Sequence, residues 1–148
     1  MANIEIQDVK REWVGVQFDH LDFRIDQQRM VDWAEACGET DPRFVDPNHP
    51  DFQAHPTFVA HFGARKMVPD GFPQLGNGRG MDGGKAVEVH RPIRAGDVLG
   101  ATSEIADVYE KTGRSGTMIF IVHRMNFTNQ HGEPVATVDW RMIRESGK

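Results

Sequence analysis

The residues of greatest chemical promise lie between Gly38 and Asp46, in the run Gly-Glu-Thr-Asp-Pro-Arg-Phe-Val-Asp. Glu39 and Asp41 flank a threonine just before Pro42, and a carboxylate held rigidly beside a carbonyl group can act as a general acid or base. A helix that stops at Gly38 and a chain stiffened by Pro42 would supply the rigidity. The same residue types also have a purely structural use, because carboxylates at a helix end before proline cap and brace turns. Asp46 has that use before Pro47-Asn48. A second group is Ala54-His55-Pro56-Thr57-Phe58. If a helix starts at Pro56, the amides of Thr57 or Phe58 lie at its positive end and can polarise a carbonyl oxygen; an ordinary helix start explains the same residues. In a third group, His90 and Arg91 precede Pro92, and Arg91 or Arg94 can grip a phosphate, or simply aid solubility.

Several other reactive types read as structural. His49, His55 and His61 recur every six residues, a spacing that puts them on different faces of a helix, and no Cys or HExxH pattern accompanies them, so no metal site is expected. His49 is the histidine nearest the acids in sequence and His55 stands at the expected helix entrance; either is a substitute base or a locally hydrogen-bonded histidine. His123 falls on an apolar strand face and reads as a satisfied interior histidine. Cys37 is expected to be a buried thiol on the apolar face of its helix. The run Gly76-Asn77-Gly78-Arg79-Gly80 lacks the glycine spacing and preceding strand of a nucleotide site, so no cofactor is expected and a mobile loop is favoured.

The elements that must position these groups can be read from periodicity. The chain through Phe23 reads as an extended lead-in. Met30, Trp33, Ala34 and Cys37 then recur at helical spacing behind an N-cap candidate, Asp26, and Gly38 ends that helix. A second helix is expected from His55-Pro56 through Met67, closed by Pro69. Glycines and prolines crowd 69–85, which reads as a loop that could close over a ligand. Strands are expected at 86–90, 98–109, 117–128 and 135–143, separated by turn-rich segments. On the third of these Ile119, Ile121, His123, Met125 and Phe127 share a face, and on the fourth Ala136, Val138, Trp140 and Met142 do so. Together with Trp33, these are the candidate core. The expected architecture is α+β: one domain, 1–148, in which an antiparallel sheet wraps a long central helix.

A chain of 148 residues can bury a core without disulfides or metal, and its single cysteine excludes an internal disulfide. That cysteine usage, with no leader-like start and no apolar run long enough to span a membrane, points to a soluble cytoplasmic protein. A net charge of -5 argues against a general nucleic-acid surface.

Over nearly the whole chain these residues resemble the MaoC-like hydratase and dehydratase family, in the branch related to the N-terminal dehydratase domain of type I fatty-acid synthases. The resemblance is carried by Ala36 to Asp46, Ala54 to Phe58 and His90 to Asp97. It implies a hot-dog fold, homodimers or heterodimers joined sheet edge to sheet edge, and reversible hydration of an acyl thioester carried on coenzyme A or acyl carrier protein. Active members of the family read Gly-Asp-x-Asn-Pro-x-His-x-Asp, where Asp and His activate water. Gly38, Pro42 and Asp46 match; Glu39 takes the Asp position, Asp41 the Asn position and Phe44 the His position. Phenylalanine cannot transfer a proton. The resemblance therefore implies a degenerate subunit that works beside a catalytic hot-dog partner. It leaves open a homodimer using Glu39 or Asp41 with another histidine, and a subunit that only binds acyl thioesters. His55, Thr57, Phe58, Arg91 and Arg94 are the candidate substrate contacts.

Overall fold

The computed structural model describes residues 4–146; the outermost residues of the expected domain, 1–3 and 147–148, lie outside them. The element order is α1 (Ile6–Trp13), β1 (Gln17–Arg24), α2 (Gln27–Ala36), α3 (Pro42–Val45), a 3₁₀ turn (Phe58–His61), β2 (Gly80–Val89), β3 (Val98–Gly113), β4 (Gly116–Thr128) and β5 (Pro134–Glu145). The strands form one antiparallel sheet in the order β1-β3-β4-β5-β2. The four expected strands are present, each longer than periodicity suggested. β2 starts at Gly80, inside the expected glycine-rich loop, and β1 is a fifth strand where only an extended lead-in was expected.

Alternation along β4 and β5 places Ile121, Met125, Phe127, Ala136, Val138 and Met142 on the concave face, each at most 6% exposed. Against that face pack Met30 and Val31 of α2, the extended segment around Phe52 and Ala54, and Phe58, Val59 and Phe62. The helix α2 follows the expected rules closely. Asp26 accepts a hydrogen bond from the Arg29 amide, and Gly38, at φ +73°, ends the helix with Gly38 N–H bonded to Glu35 O and Glu39 N–H to Ala34 O.

Three expectations are corrected. First, residues 6–13 are a helix, because Ile6, Val9 and Trp13 recur at helical spacing and pack on β3 and Leu75. Second, the long central helix expected over 55–67 is absent: the longest helix among the described residues is α2, with 10 residues, and the segment forms only the 3₁₀ turn. Gly63 penalises a helix there, and three side chains take backbone groups a helix would use. Lys85 donates to Ala60 O (2.8 Å), Asp19 accepts from Arg65 N–H (2.9 Å), and His123 bonds Met67 O (2.9 Å). The result is a strap, residues 60–67, tied to three strands. Third, Cys37 is exposed, because it caps the last turn of α2 instead of continuing its buried stripe. Trp33 and Trp140 are half-buried.

The glycine-rich segment is anchored. Leu75 is buried, Phe72 meets the Trp13 ring edge-on at 5.5 Å, and Asn77 N–H bonds Glu145 O (2.9 Å). No helix among the described residues is long and apolar enough to cross a membrane.

Candidate functional site

The acid-bearing loop is built by two short-range devices. The end of α2 turns the chain at Gly38, and Asp41 then caps α3 by accepting from Arg43 N–H (3.0 Å). One turn of helix carries Phe44 inward, where it is 8% exposed. Its ring meets the His55 ring at 5.4 Å, nearly edge to face, and lies 5.1 Å from the Arg43 guanidinium. Gln53 N–H bonds Arg43 O and Ala54 N–H bonds Ile93 O, which hold the 53–55 stretch beside this turn. Asp46 accepts from Asn48 N–H (2.9 Å), the capping use open to it from sequence.

Glu39, Phe44 and His55 are thus brought together. Glu39 Oε2 stands 3.4 Å from His55 Nε2. Its other oxygen accepts the amides of Thr40 and Asp41, both at 3.0 Å. His55 Nδ1 accepts from Thr57 N–H (3.3 Å) and lies 2.8 Å from Thr57 Oγ1, which in turn accepts from Trp33 Nε1 (3.0 Å). With Nδ1 an acceptor, the ring proton sits on Nε2 and faces Glu39. Neither ring nitrogen then offers a lone pair to a ligand. The Asp41 and Thr40 amides hold the Glu39 carboxyl below its ordinary range, and the Arg43 side chain does the same for Asp41, which it grips at 2.8 to 3.3 Å. A general base working near neutrality needs a shift in the opposite direction.

The amides considered as carbonyl donors are also engaged: Thr57 N–H with His55 Nδ1, and Phe58 N–H with His55 O at 2.9 Å. A four-residue 3₁₀ turn replaces the helix whose positive end would have supported them. Arg91 pairs with Glu133 (3.0 Å), whereas Arg94 pairs with Asp51 (2.9 Å) and donates to Phe52 O (2.8 Å). His49 Nδ1 accepts from Asp51 N–H.

The comparisons with known proteins fall on this same ground. A family model described as the FAS1-like dehydratase domain region matches residues 12–138. The chain belongs to the FAS1-like dehydratase family. A UPF0336 protein of Streptomyces griseus is 31% identical over 137 residues, covering 85% of this chain and 87% of that one. Among solved structures, the fold is shared with the ChsH1-ChsH2 complex of Mycobacterium tuberculosis (TM-score 0.64, 19% identity, 95% of this chain and 89% of that one). It is shared equally with the C-terminally truncated HadBC (3R-hydroxyacyl-ACP dehydratase) complex of the same organism (TM-score 0.65, 20% identity, 90% and 98%). This FAS1-like dehydratase chain therefore has the α+β hot-dog fold, without the long central helix.

Sequence reasoning missed one feature of the FAS1-like dehydratase chain: a cavity of about 230 Å³ between the strap and the concave sheet face. Phe62, Met67, Met125, Val138 and Trp140 form its apolar wall, and Asp82, Lys85 and His123 also line it; Glu39, Asp41, Phe44 and His55 do not. The inward-facing parity of Lys85 with Val87 on β2 was the available signal, hidden because 69–85 read as loop. His123 is 3% exposed and fully engaged, between Met67 O and Ser103 Oγ, both at 2.9 Å.

Proposed function

We propose that this chain is the substrate-shaping subunit of a two-subunit acyl-thioester hydratase or dehydratase, with proton transfer supplied by a hot-dog partner that retains an Asp/His pair. The observation that carries the reading is Phe44, buried where active relatives in the resembling motif place histidine, beside acids already committed to Arg43, His55 and backbone amides. The acyl group would ride on coenzyme A or acyl carrier protein, in the cytoplasm. The partner would join at β2: Met81 and Val89 there are 45% and 40% exposed, and β2 pairs only with β5 among the described residues. The other edge strand, β1, is partly occupied, since Arg65 Nη2 donates to His20 O. Two complexes of such subunits, ChsH1-ChsH2 and HadBC, share the fold and support pairing.

The test is hydration of crotonyl-CoA and a longer enoyl-CoA, followed by loss of the conjugated absorbance, for the chain alone and mixed with hot-dog proteins carrying the complete motif. Activity confined to the mixture is expected. Activity of the chain alone would overturn the proposal and favour the second reading, a homodimer using Glu39 with His55, which the 3.4 Å approach of those side chains supports. In that case Glu39→Gln abolishes the rate. Thioester binding with no hydration in any mixture would leave a binding subunit.

A further inference from the structure

We propose that the cavity beneath the strap is a subsite for the distal end of the acyl group, and that Asp82 and Lys85 make it selective for a compact end carrying a neutral oxygen, above all a hydroxyl. The assignment to an acyl group rests on the function proposed above; the selectivity rests on the cavity itself.

Size sets the first limit. An apolar cavity of about 150 Å³ accommodates benzene, so about 230 Å³ takes a group somewhat larger and excludes a long extended chain. Two aromatic rings, two methionines and a valine supply an apolar wall. The polar groups come from an irregularity in β2. The register with β5 shifts between Asp82 and Lys85, and Gly84, at φ +86°, carries the bulge. The bulge places both charged side chains at the same cavity, one on either side of Gly83-Gly84.

Each of the two has hydrogen-bonding capacity left. Lys85 Nζ donates to Ala60 O at 2.8 Å and stands 5.8 Å from the Trp140 ring centre, and an ammonium has two more donors. Asp82 Oδ1 accepts from Gly84 N–H and Trp140 Nε1, both at 2.8 Å, and Oδ2 has no hydrogen-bond partner among the described residues. Those two donors, with Lys85 nearby, hold the Asp82 carboxyl below its ordinary range, so it stays charged. The pair has no net charge. A carboxylate drawn to Lys85 would meet Asp82, and a methyl end would strip water from both without replacing a hydrogen bond. A hydroxyl donates to Asp82 Oδ2 and accepts from Lys85, serving both. His123, with its nitrogens engaged, contributes wall only.

The test titrates the chain, carrying isotopically labelled methionine ε-methyl groups, with the hexanoyl, ω-hydroxyhexanoyl and adipoyl thioesters of N-acetylcysteamine. Met67 and Met125 line the cavity, while Met30, buried at the α2 contact, reports that the fold is intact. The expected result is ligand-induced shifts at Met67 and Met125, with the hydroxy ester about tenfold tighter than the hexanoyl ester, the worth of one hydrogen bond to a charged group. The adipoyl ester binds no tighter than hexanoyl. Lys85→Met removes the preference and Val138→Phe, which fills the cavity, removes the shifts. Silence at Met67 and Met125, equal binding of hydroxy and hexanoyl esters, tightest binding of the adipoyl ester, or a preference that survives Lys85→Met would each overturn the proposal. Binding is read without catalysis. Selective binding with no hydration in any mixture therefore sinks the proposed function alone, and hydration in a mixture without selective binding sinks this inference alone.

Discussion

His123→Leu tests the tie between strap and sheet. His123 Nδ1 faces a carbonyl, Met67 O, so it carries the proton, and Nε2 must accept from the Ser103 hydroxyl. Leucine leaves that hydroxyl without an acceptor at a position 1% exposed, a loss of about 1–3 kcal/mol. Met67 is 48% exposed, so its carbonyl turns to water and loses only about 1 kcal/mol. Leucine recovers part of this through apolar burial, for an expected net loss of about 2 kcal/mol. With a urea slope of about 1.5–2 kcal/mol per molar for a small domain, the unfolding midpoint falls by about 1 M. Adding Ser103→Ala removes the orphaned hydroxyl and restores about 1 kcal/mol, although Ser103→Ala alone is destabilising. Urea melts of the four proteins decide the matter. A double variant less stable than His123→Leu alone would refute the orphaned hydroxyl.

Four shorter predictions accompany it. Burial pushes the His123 pKa down, so below its ordinary value of about 6.5 the unfolded chain binds more protons than the folded one. Stability from this group is therefore complete above that pH and lost as pH falls; urea midpoints against pH should show the decline, and His123→Leu should flatten it. Gly15 and Gly76 both have positive φ (89° and 72°), but only at Gly76 would a Cβ fall on the Glu145 carbonyl oxygen, so Gly76→Ala should lower the melting temperature well beyond Gly15→Ala. Gly15→Ala should cost about 1–2 kcal/mol, and equal shifts would show that Gly76 lies away from Glu145. Asp19→Ala removes the acceptor that holds Arg65 at 2.9 and 3.1 Å; tryptic cleavage after Arg65 or Lys66 should rise about tenfold, and an unchanged rate would remove this tie from the strap. Phe44→His should leave the isolated chain unable to hydrate crotonyl-CoA, because Glu39 stays bound by the Thr40 and Asp41 amides; turnover above the buffer rate would contradict this.

The parts legible in the sequence are those governed by neighbours in the chain. Asp26 before an apolar helical stripe and Gly38 after it mark α2 because a cap and a positive φ act within a turn. The alternation of Ile119 through Phe127 and of Ala136 through Met142 marks β4 and β5 because one face is buried along their length. Where local signals misled, a distant group had intervened. The apolar spacing of Phe58, Val59 and Phe62 is as good a helix signal as that of α2, yet Asp19, Lys85 and His123, from three different strands, hold the backbone of the strap out of helical conformation. Ile6, Val9 and Trp13 form a helix whose apolar stripe gains its meaning only from β3 and Leu75.

The candidate site divides in the same way. The sequence alone determined that histidine is missing at Phe44 and that acids stand at Glu39 and Asp41, because residue identity at a motif position needs no folding to be read. It also determined the α+β class, through periodicities of side-chain burial. Only the tertiary structure decided that Glu39 faces His55 from 16 positions away in the chain, and that Asp82 and Lys85 share a cavity with Met67 and Met125. The physical reason is common to both: the pairing energy of a charged group depends on which partners reach it within a few ångströms, and those partners are set by strand register and loop path, which local sequence does not encode.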